Sequence, residues 1–531
     1  MDSVTYLKKN FEKEMRDLKM EEKSRTEHSV QNTTTAMAAK VIALLTGFLT
    51  RVVFTHCLSQ TYVGINGLFW DILNVFSLSE FGVGTAITYA LYEPVAKGDV
   101  EKQKSLMQLY RKIYHIMGIF VLAAGLAVIP FMDFLVKSYE SVDHIIFIYL
   151  LYLANSVFSY LLIYRKSMLD AHQLSYLGEI SMTVSILVQD ALQITVLLTT
   201  RNFYLFLAMM LLATIGNNLW ISHKAETLYP FLKEKDIIPL PKEEKRNIYQ
   251  NIRAMLMHKV GDVLVNNTDN LILSAMVGLV SVGCYSNYYL IIASVHSIMT
   301  RMFQGLTASV GNLGVTQGKE RIRTVFAGSF FVGQWMYGFA AICLYELLNL
   351  FVKFSFGAEY VFPANVVLIL CINFFVLGMR QAALVFRDSL GLFWFDRYKS
   401  IANALFNILF SILLARQYGT FGVFLGTLLS TLLTSFWVEP LVLYRHSIKV
   451  PVWHYFAKYA LYTGVVVVSG LLTHFLCRQV GGSTVMVFFV RLCLCVVVPN
   501  TVFLLCYRRM REFRFLWEKI MSVVKKRRKR S

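Results

Sequence analysis

IIFIYLLYLANSVFSYLLIY, residues 145–164, holds twenty consecutive positions without a single charge. About 20 apolar residues wound as a helix cover the ~30 Å hydrocarbon core of a bilayer. In that medium only helices and closed barrels satisfy their own backbone. Two more uncharged runs, IMGIFVLAAGLAVIPF (116–131) and FYLFLAMMLLATIGNNLWI (203–221), repeat the pattern. A barrel would show short alternating strands, whereas these runs are continuous, so they read as membrane helices. Over 531 residues the chain is 56% hydrophobic and 16% charged, against about a quarter charged for soluble proteins.

Fourteen such spans are expected, at 33–55, 62–91, 113–136, 143–164, 177–200, 203–222, 255–277, 283–311, 325–352, 362–386, 399–415, 419–443, 455–477 and 483–507. The basic residues orient them. Alternate connections, beginning with the amino-terminal segment and ending with the tail, hold forty Lys and Arg, and the intervening ones hold five. Lysine and arginine concentrate on the cytoplasmic side, so both ends are expected in the cytoplasm. The same bias accounts for the net charge of +19, which in a soluble protein would suggest nucleic acid; no nucleic-acid partner is expected here. The tail KKRRKR (525–530) follows REFRFLWEKIMSVV, whose apolar spacing suits a helix on the membrane surface. Val4, Leu7, Phe11, Met15 and Leu18 read the same way. The charged first 32 residues lack the apolar core of a cleavable signal peptide.

An internal similarity divides the chain. VGINGLFWDILNVFSL begins at Val63 and VGCYSNYYLIIASVHSI at Val282, 219 residues later. Each opens a span after a short external turn and leads to a basic loop. The expected organisation is an amphipathic segment (1–32), a first lobe of six spans (33–222), a cytoplasmic inter-lobe loop (223–254), a second lobe (255–443), two additional spans (444–507) and a basic tail (508–531). Six spans on each side of the loop make parallel repeats around a cleft, a transporter plan that works by rocking.

Charge inside a bilayer is costly and marks a pathway or a structural ion pair. Lys40 and Arg51 share one face of the first span, about 16 Å apart along its axis. Asp71 and Glu80 lie on opposite faces of the second. In the seventh, Lys259, Asp262, Asn266 and Asp269 form one polar stripe. Arg301 and Arg380 stand within the eighth and tenth. One reading makes Arg51, Arg301, Arg380, Lys40 and Lys259 the cationic lining of a cavity for an anionic, hydrogen-bonding cargo such as a sugar pyrophosphate. The other pairs Lys259 with Asp262 and lets Lys40 snorkel to the interface. Asp269 and Asp262 are candidates for a coupling ion, Na+ or H+; no other cofactor and no metal is expected. The eight cysteines lie mainly in apolar runs and form no CxxC pair, so neither a zinc site nor a disulfide framework is indicated. No phosphate loop, HExxH, GxSxG or kinase motif set occurs, and nothing points to an enzyme.

YVGINGLFWDILNVFSLSEFGVGTAITYALYEPVAKGDVEKQKSLMQLYRKIY (62–114) resembles the second-span signature of bacterial polysaccharide transporters of the Wzx type, in the multidrug/oligosaccharidyl-lipid/polysaccharide exporter superfamily. HKVGDVLVNNTDNLILS (258–274), VGCYSNYYLII (282–292), TASVGNL (307–313) and MRQAALVFRDSLGLFWFDRYKSI (379–401) strengthen the resemblance. It implies an all-α, V-shaped two-lobe fold in the bacterial cytoplasmic membrane. It also implies export of a polyprenyl-pyrophosphate-linked oligosaccharide, a capsule, O-antigen or exopolysaccharide repeat unit. A polysaccharide polymerase or glycosyltransferases are then candidate partners beside the membrane lipids. Arg51, Asp269, Arg380, Arg387 and Asp388 stand at positions typical of the group, whereas Asp262, Arg301 and Lys40 depart from it. Two other functions stay open: export of small cationic drugs by the related multidrug branch, and a membrane-embedded glycan polymerase or ligase. External gaps of about ten residues leave little room for the latter's catalytic loop.

Overall fold

The computed structural model describes residues 25–76, 83–136, 142–172, 174–234, 237–246, 248–250, 268–304, 310, 319–392, 395–396, 398–482 and 485–518. Of the sequence-based expectations, the amino-terminal amphipathic stretch, Glu80, Lys259, Asp262 and the tip of the tail lie outside these residues. The described chain is helical throughout, and a described helix falls in each of the fourteen expected ranges. Among the described residues, nine helical segments are long and apolar enough to cross a membrane, one of them (Lys399–Ile448) covering two of those ranges. Side chains such as Phe134, Met486 and Leu471 lie largely exposed on them, as lipid-facing residues do.

The chain divides into two compact units by its internal contacts. The first takes Met1–Cys57, Phe76–Pro130 and His144–Lys259. Its helices are α1 (Arg25–Cys57), α3 (Val83–Lys97), α4 (Val100–Val128), α5 (Ile145–Leu161), α6 (Lys166–Ala171), α7 (Ser175–Thr200) and α8 (Phe203–Leu228). Polar side chains stitch them, as they must where water is absent. Thr214 donates to Asn155 Oδ1 at 2.7 Å, Ser181 to Asn217 Oδ1 at 2.7 Å, and Tyr149 to the Gly125 carbonyl at 2.9 Å.

The second unit holds Leu58–Val75, Phe131–Asp143 and Val260–Ser531. It thus gathers α2 (Gln60–Phe76), which the sequence division assigned to the first lobe. Beside it are α9 (Leu279–Gln304), α10 (Lys319–Ser355), α11 (Ala364–Met379), α12 (Gln381–Ser389), α13 (Lys399–Leu433), α14 (Ser435–Leu443), α15 (Trp453–Gln479) and α16 (Val485–Tyr507). The reason α2 sits here is legible in the repeat. A Cβ on Gly64 would overlap the Leu279 carbonyl, and one on Gly283 would fall 2.6 Å from the Gln60 carbonyl and 3.1 Å from the Gly64 nitrogen. The equivalent glycines of VGINGLFW and VGCYSNYY therefore meet, and only glycine lets the two backbones approach so closely.

The same device folds α13. Gly419 leaves helical geometry with φ of 55°, turning the chain between two limbs that match the expected spans 399–415 and 419–443. The limbs run antiparallel: a Cβ on Gly422 would strike Leu414, and one on Gly426 would strike Ser411. The Ser411 hydroxyl donates to the Val423 carbonyl at 3.0 Å.

The two additional spans, α15 and α16, dock on α10. Trp335 donates to Asn500 Oδ1 at 2.8 Å, His474 pairs with the buried Glu346 at 2.8 Å, and Phe330 packs on Tyr455 with ring centroids 4.7 Å apart. The tail is helical where it is described. Residues 511–518 are helical, with Phe513 stacked on Trp335 and Lys458 paired with Glu512. Phe513 thus meets α10, while Trp517 stays exposed.

Gly64→Ala should lower the stability of the purified protein by about 1–3 kcal/mol, the usual cost of overpacking, read as a depressed thermal unfolding midpoint in detergent. Gly47, with open space around its Cβ position, should accept alanine without loss. Equal tolerance at both positions would contradict the close crossing.

Candidate functional site

The polar stripe of the seventh expected span is described from Thr268 onward, and there it becomes a site. Thr268, Asp269 and Asn270 open a helical segment (268–276) in the second unit. Asn270 donates to Asp71 Oδ2 on α2 at 2.6 Å. Thr427 donates to Asp269 Oδ1 at 3.1 Å and receives the Asn407 amide at 3.0 Å; Thr268 donates to Asn407 Oδ1 at 3.2 Å. Asn407 also reaches the Asp269 carboxylate.

The elements explain the convergence. Asn407 and Thr427 come from opposite limbs of α13, brought level by the turn at Gly419 and the glycine contacts below it. Asp71 arrives because the Gly64–Gly283 crossing pins α2 beside α9. Tyr285 and Tyr289 on α9 feel the charges of both Asp71 and Asp269, which also act on each other. Asn407 is fully buried, Thr268 and Asn270 nearly so, and the two carboxylates are partly buried. Two carboxylates among amide and hydroxyl oxygens make an oxygen-only donor set. Such a set suits a proton or a hard cation rather than a transition metal. Among the described residues no group of three His, Cys, Asp or Glu is placed to hold a metal ion.

A second charge cluster has a different character. Arg380, expected as a cavity cation, forms a two-point ion pair with Glu439 of α14, Nε–Oε2 at 2.9 Å and Nη2–Oε1 at 2.7 Å. Lys399 reaches the same carboxylate at 2.6 Å and Asp396 at 3.2 Å. Arg387 joins through Asp396 at 2.5 Å and Asp388 at 2.7 Å. Three cations face three carboxylates, and Glu439 is wholly buried. The guanidinium of Arg380 is thus already answered by protein.

The remaining expected residues lie apart. Arg51 sits in α1 of the first unit, its guanidinium 5.9 Å from the Phe54 ring; Phe54 is wedged edge-on against Phe203 and Phe206 of α8. Lys40 lies on the same helix. Arg301, expected deep in its span, stands exposed in the last described turn of α9. Spacing alone missed Asn407, Thr427 and Glu439. Glu439 had a signal, a lone carboxylate in the run TLLTSFWVEPLVL (431–443); the other two are ordinary polar residues until the fold brings them to Asp269.

Comparisons with known proteins give the family and the fold of this helical chain. Residues 29–307, over half the chain, match the family described as polysaccharide biosynthesis protein, and the chain belongs to that family. The structure is similar to the lipid II flippase MurJ in an inward closed conformation, with a TM-score of 0.66 at 13% identity, over 89% of this chain and 98% of that one. It is also similar to an inward-facing multidrug resistance MATE family transporter of the MOP superfamily (TM-score 0.55, 13% identity, 77% and 98% covered). A mutant of the Vibrio cholerae MATE transporter VcmN matches at TM-score 0.51 and 17% identity, over 81% and 99%. No curated protein matched the sequence. The fold is that of the MOP-superfamily flippases and exporters, which bears out the resemblance drawn from 62–114; the segment 379–401 lies beyond the matched range.

Glu439→Gln should cost about 3–5 kcal/mol by stranding Arg380 beside a neutral group and leaving Lys399 with Asp396 alone. A thermal melt in detergent reads it, and a wild-type midpoint would mean the cluster carries no structural weight.

Proposed function

We propose that the chain is a flippase that moves polyprenyl-pyrophosphate-linked oligosaccharide across the bacterial cytoplasmic membrane by alternating access, both termini remaining in the cytoplasm. The observation that carries this reading is the joint one: a polysaccharide biosynthesis family member with a flippase-type fold. The in-span cations supply the recognition. Arg51, held over Phe54, contacts the pyrophosphate, and Arg301, Lys40 and Lys259 are the further candidates for recognising it. Arg380 contributes by shaping the second lobe, since a phosphate there would have to displace a bidentate carboxylate. The lipid tail stays in the bilayer while the hydrophilic glycan is carried by the protein.

The Asp71–Asp269 cluster is the coupling site in this reading. Asp269 holds a proton or Na+ together with Asn407 and Thr427, with Asp262 as the second candidate for the ion. Because Thr427 and Asn407 occupy both limbs of α13, loading or emptying Asp269 changes what joins those limbs. Charge at this point is therefore tied to the shape of the second unit.

The carboxylate pair also favours a second reading, export of small cations by a chain of the same superfamily. A drug-susceptibility panel on cells with and without the protein separates the two.

The test is transport of a fluorescent undecaprenyl-pyrophosphate oligosaccharide in proteoliposomes. Movement should require the protein and fall about 10- to 100-fold in Arg51→Gln, the loss of one charge-assisted contact worth ~1.5–3 kcal/mol. Unchanged transport in the folded variant would move the phosphate site elsewhere; no transport of any lipid-linked glycan would remove the flippase reading.

A further inference from the structure

The first unit carries a cavity unconnected with the in-span cations. It encloses about 530 Å³, within the range of small-ligand pockets. It lies where α4 begins, where the chain turns from α5 into α6, and where α8 ends. The fourth wall is the segment after α8, which the sequence expects to be an inter-lobe loop. That segment is held down: Lys104 bonds Glu234 at 2.7 Å, Lys102 bonds Glu244 at 2.6 Å, and Ser105 donates to the Ile238 carbonyl.

The lining is unbalanced in charge. Lys104, Arg111, Arg165 and Lys233 face it against Glu226 and Glu234. Arg165 takes Glu226 at 2.6 Å and lies 5.6 Å from the Tyr164 ring, and Lys104 takes Glu234. Lys233 is left with a loose 3.7 Å approach to the already paired Glu226, its side chain 62% exposed. Arg111 is exposed and has no carboxylate partner among the described residues. Two cations are thus surplus at the mouth of a half-open cavity, with Gln108 as a further donor. Phe231, Leu232 and Met107 supply an apolar wall beside them.

We infer that this cavity binds a phosphate group, with Arg111 and Lys233 as its charge partners and the apolar wall covering the adjoining part of the ligand. A guanidinium offers a phosphate two parallel hydrogen bonds and an ammonium a point charge. The alternation of basic loops puts this end of the unit on the cytoplasmic side, where anionic lipid headgroups and soluble phosphate compounds are both at hand. The site stands independently of the transport reading and of Arg51.

Amine-reactive footprinting of the full-length protein in detergent tests it. Labelling of Lys233 is followed against Lys97, an exposed lysine outside the cavity, with inorganic phosphate, dihexanoyl phosphatidic acid or dihexanoyl phosphatidylcholine added. Phosphate or phosphatidic acid should slow labelling of Lys233 several-fold and leave Lys97 and the phosphatidylcholine samples unchanged. Arg111→Gln should abolish the protection and Arg111→Lys restore it. Protection by phosphatidic acid alone assigns the site to a lipid headgroup, and protection by inorganic phosphate alone to a soluble compound. Equal behaviour of Lys233 and Lys97 with every addition, or protection that survives Arg111→Gln, overturns the inference.

Discussion

A polar group inside a bilayer has no water to fall back on, so the protein must supply its partner. That requirement organises the second unit more than apolar packing does, since lipid tails are as apolar as leucine. Glu439 is fully buried because Arg380 and Lys399 meet it. Asn407 is fully buried because Thr268 and Thr427 take up its amide. These contacts fix which helices lie side by side, and the glycines make the approach short enough for the contacts to form.

The two clusters answer the requirement differently. Around Glu439, opposite charges balance and the geometry is bidentate, which costs much to break and leaves little to titrate or exchange. Around Asp269 and Asp71, the described partners are neutral: Asn270 donates to Asp71, and Thr427 donates to Asp269. Like charges in one site resist being ionised together, which is why the proposed coupling role falls on this cluster and not on the one around Glu439.

Much of this was legible in the sequence, and the limits follow from physics. Uncharged runs are local signals, so the all-helical, membrane-spanning character emerges from them, as do the two limbs within 399–443. The repeat at Val63 and Val282 marked the two glycines that meet. What the spacing could not show is which distant helix answers a given charge. Arg380 read as a free cation because Glu439 lies 59 residues away. Asp269 read as one member of a helical stripe, although its partners come from α13. The tail's amphipathic face suited a membrane surface, and the spacing could not show that Phe513 would also pair with Trp335 on α10. Amphipathicity states that a face will be covered, and leaves open by what.

The most direct measurement is transport of lipid-linked oligosaccharide by Asp269→Asn in proteoliposomes, run beside its thermal melt and with Na+ and pH gradients imposed in turn. The amide preserves the shape and can keep the hydrogen bond from Thr427. The account predicts a wild-type unfolding midpoint with transport lost or no longer responsive to either gradient. Transport at the wild-type rate with its gradient response intact would contradict it.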